Sequence, residues 1–222
     1  MKKSLNLPIA FSFVFLLCMA FQCGVEKEEI DYTYRFAETI DLVPAQKSYL
    51  LGDTIWVQYA NPQQELFDAT TNQNVSAESV SIDFEIFFNA RYQAPVNPAD
   101  GFCDFVTEKG LKIARPSGHY GAGLFQTVGC NNEGYDLKVG IVPKHTGIYS
   151  LELRHIGPPA QVKACANRPA VFPASSIAYT FNLADVNKDV YLGIPPQARG
   201  ESVNGLSESR VDSKKVYMVK VE

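Results

Sequence analysis

Val80, Ile82, Phe84, Ile86 and Phe88 occupy every second position of one segment, with Ser79, Ser81, Asp83 and Glu85 between them. An extended strand sends successive side chains to opposite faces, so this spacing gathers the apolar set on one side and the polar set on the other. A helix would scatter the same residues around its circumference. The pattern predicts a half-buried strand whose solvent face carries Asp83 and Glu85. Two carboxylates about 7 Å apart on one face mimic the pair of a glycoside hydrolase, but on a solvent face they read as ordinary hydrated side chains.

The same period recurs. Ile55, Val57 and Tyr59 alternate after a Gly52-Asp53 turn signal, and so do Tyr135 to Ile141, Tyr149 to Leu153, Ile177 to Leu183, and Tyr217 to Val221. Residues 34 to 42, 102 to 107, 111 to 114 and 122 to 128 are weaker strands of the same kind. Short strands separated by Pro, Gly, Asn and Asp clusters, without helical crossovers, predict an all-β antiparallel sandwich over residues 33 to 222. One short helix is expected near 186 to 192, capped by Asp185. Residues 60 to 78, 89 to 101 and 195 to 213 are expected as long loops, the places where binding usually resides on a rigid scaffold. Pro143, Lys144, His145, Thr146, Gly147, Ile148, Tyr149 form a tight turn followed by Gly-x-Tyr-x-Leu. This resembles the late-strand pattern of bacterial immunoglobulin-like domains, which makes that topology the leading expectation. A jelly roll or barrel is the alternative.

The amino terminus is a targeting segment. Lys2 and Lys3 precede an apolar run over residues 7 to 21, too short for a permanent span and closed off by acidic residues. Cys23 follows, preceded by Ala20, Phe21 and Gln22, a loose lipobox, and followed by Glu26, Lys27, Glu28 and Glu29. The loose lipobox, the charged tag after the cysteine and the β-rich layout together resemble small surface or periplasmic lipoproteins of Bacteroidetes-type bacteria. The resemblance implies a signal over residues 1 to 22, a lipidated Cys23 with a tether to residue 32, and an outer-membrane or cell-surface location. A periplasmic or secreted protein is the alternative. Removal of residues 1 to 22 takes away only Lys2 and Lys3, leaving 18 basic against 24 acidic residues, a formal net charge of −6. That excess argues against a general nucleic-acid partner and against docking on anionic lipid by charge.

Three cysteines remain after Cys23, so at most one internal disulfide forms. If strands 135 to 142 and 148 to 154 are a hairpin that opposes Pro143 to Ile148, its open end brings Cys130 near Cys165 and leaves Cys103 as a free thiol. Three reduced, buried cysteines are the other possibility.

Constellations with a chemical meaning are sparse. His119, His145 and His155 lack metal-ligand spacing, so no metal or cofactor is expected. Asp185, Asn187 and Asp189 repeat the first three ligands of a calcium loop, but Val190 stands where that loop needs glycine and Pro196 where it needs glutamate. Tyr92 beside Gln93, and Tyr120 beside His119, are candidate stacking platforms for a sugar ring. Nucleophile elbows, phosphate loops and zinc-protease pairs are missing from the sequence. The expectation is a membrane-anchored, non-catalytic binding module for a protein or glycan, with an envelope-complex subunit or a glycan or peptide hydrolase as alternatives.

Overall fold

Each alternating run forms a strand in the computed structural model, which describes residues 34–78, 80–114, 121–129, 134–154, 163–164, 176–199 and 206–222. The strands are β1 (Arg35–Val43), β2 (Ser48–Tyr49), β3 (Ile55–Asn61), β4 (Glu65–Asp68), β5 (Gln73–Ser76), β6 (Val80–Tyr92) and β7 (Cys103–Lys109). They continue with β8 (Leu111–Ala114), β9 (Gly121–Gly129), β10 (Tyr135–Pro143), β11 (Gly147–Arg154), β12 (Lys163–Ala164), β13 (Ser176–Phe181) and β14 (Val216–Val221). All belong to one compact unit, Thr33–Glu222.

Two sheets share them. Sheet 1 runs β5-β4-β1-β3-β10-β7 with β13 beside β1, and sheet 2 runs β2-β14-β11-β6-β9-β8 with β12 beside β6. Neither closes into a barrel. The stretch β1-β3-β10-β7 against β14-β11-β6 has the A-B-E-D and G-F-C order of an immunoglobulin sandwich, with β9 and β8 extending the second sheet. The sheets are mixed, not purely antiparallel as expected, because β1 pairs parallel with β13 and β2 with β14. These strands lie far apart in sequence, so the rest of the domain serves as the crossover and no helix is required between them.

Between the sheets, Ile82, Ile86 and Phe88 of β6 pack with Leu124 of β9, Leu151 of β11 and Tyr217 of β14, facing Ile55, Val57, Val139 and Ile141 of sheet 1. At about 25 cal/mol per Å² of apolar surface removed from water, this core is the main source of stability.

Strands β10 and β11 do not form the expected hairpin. Pro143 opposes Cys103 of β7, whereas Ile148 opposes Tyr92 of β6 and Lys220 of β14. Both edges of each strand are already occupied by other partners, so the turn between them carries the chain from one sheet to the other. Gly147 makes the crossing at φ 139, where an added Cβ would lie 2.8 Å from Ala94. Buried Tyr149 then donates its hydroxyl back to the carbonyls of His145 at 3.0 Å and Thr146 at 3.4 Å. That is the tyrosine corner found where strand F begins.

Other expectations change with the packing. The helix α1 spans Lys188–Leu192, shorter than 186 to 192, and a second helix, α2 (Glu208–Asp212), forms in a segment expected as loop. Their Tyr191 and Val211, with Val186, Ile194 and Leu206, are buried beside Val216 and Met218 of β14. Within 60 to 78, β4 and β5 make a hairpin that registers Asp68 opposite Gln73. The Asp68 carboxylate accepts from the backbone N–H groups of Thr70 and Thr71 in the turn and of Arg35 at the start of β1.

Candidate functional site

The carboxyl end of β6 carries an extra residue. Tyr149 opposes Ala90 and Ile148 opposes Tyr92, so Arg91 is a bulge in the ladder. Bulges increase local twist. Arg91 continues the outward-facing set of Asp83, Glu85 and Asn89 on sheet 2, where its Nε donates to Ser150 Oγ at 2.7 Å and its Nη2 to Glu152 Oε1. Ser150 Oγ donates to the same carboxylate oxygen at 3.1 Å, and Arg210 of α2 donates to Glu152 Oε2 at 3.0 Å. Glu152 is wholly buried and Arg210 partly exposed, so the pair that ties α2 to β11 has its carboxylate out of water and its cation at the edge of the cover.

Next to this cluster, Ala90 to Val96 face Ala198, Arg199 and Leu206 across a cleft of about 220 Å³. Ala90, Ala94, Pro95 and Leu206 supply apolar lining, and Val96, 69% exposed, stands at its rim. Gln93 adopts the left-handed conformation at φ 53, and Asn97 does so at φ 49 just beyond the lining. Arg199 follows the 3-10 turn Pro196–Ala198. Its Nε donates to the Ile194 carbonyl and its Nη2 to the Leu192 carbonyl, both at 2.6 Å, and its guanidinium lies 5.4 Å from the Tyr191 ring centre. Those contacts hold the cation at the cleft with no carboxylate partner among the described residues. Tyr92 is half-buried in the wall.

Of the residues singled out in the sequence, Tyr92 and its neighbour Gln93 enter the cleft. Cys23, Tyr120, His119, His155, Cys130 and Cys165 lie outside the described residues. The hairpin that favoured a Cys130–Cys165 bond is replaced by the inter-sheet corner. Cys103 is a buried free thiol, and burial pushes its pKa up to about 12.

The three residues of the calcium-loop alternative are engaged with the protein itself. Asp185 Oδ1 accepts from the Asn187 and Lys188 N–H groups, and Asp189 pairs with Lys47. Asn187, 4% exposed, turns its amide inward and donates to the carbonyls of Gln46 and Met218. Among the described residues no group of three or more His, Cys, Asp or Glu side chains is placed to hold a metal ion. His145 binds Asp100 Oδ1 at 2.9 Å and the Gly101 carbonyl at 3.2 Å, fastening the corner to the preceding loop.

Asp83 and Glu85 do share one face of β6, but that face is covered, leaving them 8% and 2% exposed. The Asp83 Oδ1 accepts from Thr127 Oγ1 on β9 at 2.7 Å. Arg91 and Arg199 were not legible as site residues. The only hint was the interruption of the alternation after Phe88, where a charge appears next to an aromatic ring. Among the described residues no helix is long and apolar enough to cross a membrane. The chain matches no protein-family model and no curated protein.

Proposed function

We propose that the protein is an exported lipoprotein, anchored through Cys23, whose immunoglobulin-type sandwich acts as a non-catalytic binding module. The cleft at the end of β6 carries the binding part of this reading. It has apolar walls with a few polar groups set into them, the usual composition of a small-ligand site. Its described lining of Ala, Arg, Tyr, Gln, Pro, Val and Leu contains no serine, cysteine, histidine or carboxylate. Such a lining can hold a ligand but offers no nucleophile and base pair for hydrolysis.

The anchoring part rests on the sequence of residues 1 to 29. Two measurements test the whole. Cys23→Ala is expected to move the protein from the membrane fraction to the soluble fraction, and unchanged partitioning would remove the anchor. Native protein is expected to retain a small ligand or glycan that Tyr92→Ala loses, and a stoichiometric protein partner instead would favour a structural subunit. That second reading has one observation behind it: consecutive Leu50 and Leu51 stand 63% and 50% exposed after β2.

A further inference from the structure

We infer that the β6 cleft takes a single carboxylate-bearing sugar ring, a hexuronate or a similarly acidic monosaccharide unit. The inference rests on the binding-module reading and specifies its ligand. Size comes first. A volume of about 220 Å³ is below the roughly 300–1,000 Å³ of sites for drug-sized ligands, so the occupant is one small ring or a chain tip.

Charge is the second consideration. Arg199 is fixed by two carbonyls through Nε and Nη2. A guanidinium has more donors than these, and the edge formed by Nη1 and the remaining Nη2 hydrogen can take a carboxylate in a two-point contact. Carbonyl acceptors fix the side chain without neutralising it, so its charge is preorganised for an anion. A protein with an acidic excess has thus kept an arginine at a cleft whose described lining has no acidic residue.

The remaining chemistry favours a sugar over a peptide carboxylate. Tyr92 and Gln93 are neighbours in the lining of the same cleft, Tyr92 half-buried against the core and Gln93 exposed. An aromatic face stacks on the C–H side of a pyranose, while hydroxyl and amide groups exchange hydrogen bonds with its hydroxyls. Small residues at Ala90 and Ala94 leave room for a flat ring, and the left-handed backbone at Gln93 sets the bend of this wall.

The test uses purified protein expressed from the full-length sequence, titrated with sodium glucuronate, glucose, acetate and trialanine by ligand-observed NMR in low salt. Glucuronate is expected to bind about tenfold or more tightly than glucose or acetate, and to weaken as salt is raised. Arg199→Gln should abolish the preference over glucose. Because Arg199 also holds the end of α1, the rim supplies an independent variant. Val96 is exposed, so Val96→Asp and Val96→Lys leave the packing intact and should lower and raise glucuronate affinity, each by about threefold. Equal binding of glucose and glucuronate, or indifference to charge at position 96, overturns the acidic ligand while leaving a binding cleft. Binding of trialanine without the sugars overturns the sugar and assigns the cleft to peptide. Binding of none of the four overturns this inference alone, since the binding-module reading stands or falls on native protein and the Tyr92→Ala comparison.

Discussion

The outer faces of the two sheets come from the same kind of sequence and meet opposite fates. On sheet 1, Lys138 of β10 pairs with Glu108 of β7 at 2.6 Å and lies 4.7 Å from the Trp56 ring centre, all partly open to water. On sheet 2, polar positions of β6 and β11 lie beneath cover, so Ser150 and Glu152 are wholly buried and Glu85 is 2% exposed. Alternation determines which side chains share a face. Whether water reaches that face depends on what packs over it, and on sheet 2 that includes two helices of five residues each.

Removing one carboxylate from each face is the most direct way to break this contrast. Glu152→Ala takes away the group that Arg91 and Arg210 share, and should cost about 3 kcal/mol or more in denaturant unfolding, because a buried charge loses its partner. Glu108→Ala should cost less than about 0.5 kcal/mol, as exposed pairs do. Similar values for the two would show that sheet 2's cover does not exclude water. A smaller effect is expected at Gly140 on the outer face of sheet 1, where an added Cβ would lie 2.6 Å from Thr54 Cγ2 and 3.0 Å from the Trp56 ring. Gly140→Ala should destabilise by about 1–2 kcal/mol. A negligible change would mean that Trp56 swings away freely, as a side chain in a hydrated layer can.

Tyr149 belongs to neither outer face and provides a reference between them. Tyr149→Phe keeps the ring stacked on Phe88, with centroids 4.5 Å apart, and loses only the corner hydrogen bonds, an expected cost of about 1 kcal/mol. The smallest effect at neutral pH is that of Cys103. Its thiol titrates from 9.0 in the unfolded chain to about 12 in the fold. The folded state therefore holds the proton more tightly, so this contribution is complete below pH 9 and is lost as pH rises toward 12. Native protein at pH 8 should accordingly resist alkylation at Cys103 and react once unfolded, and rapid native labelling would show the site to be open.

Much of the architecture could be read from alternation, because ten strands carry enough residues for period two to stand out. The segment from Pro143 to Tyr149 shows where such reading stops. A hairpin and an inter-sheet corner both need a short turn with a glycine, so spacing alone does not separate them. The separating signal was Tyr149, two residues after Gly147, whose hydroxyl returns to the turn. Read as a corner residue, it would have excluded the hairpin and with it the basis for joining Cys130 to Cys165. The site was less legible still. Tyr92 could be proposed as an aromatic in a loop, and alternation places Arg91 on the face of Asp83 and Glu85, but its partners Ser150 and Glu152 lie on another strand and Arg199 is held by carbonyls at the end of α1. Neither set of partners has a sequence period. Helix α2 is too short to display one either, and it forms where Val211 and Leu206 find apolar surface on β14.

The parallel pairing of β2 with β14 has a consequence for how the chain becomes a protein. Leu51 N–H donates to the Glu222 carbonyl and Glu222 N–H to the Tyr49 carbonyl, so the last residues close a ladder opened near the beginning. Strand β14 also completes the edge of β11 and supplies Tyr217, Val219 and Val221 to the core. A polypeptide delivered from its amino end cannot finish that core until β14 has arrived. Contacts this distant along the chain make folding slow and late.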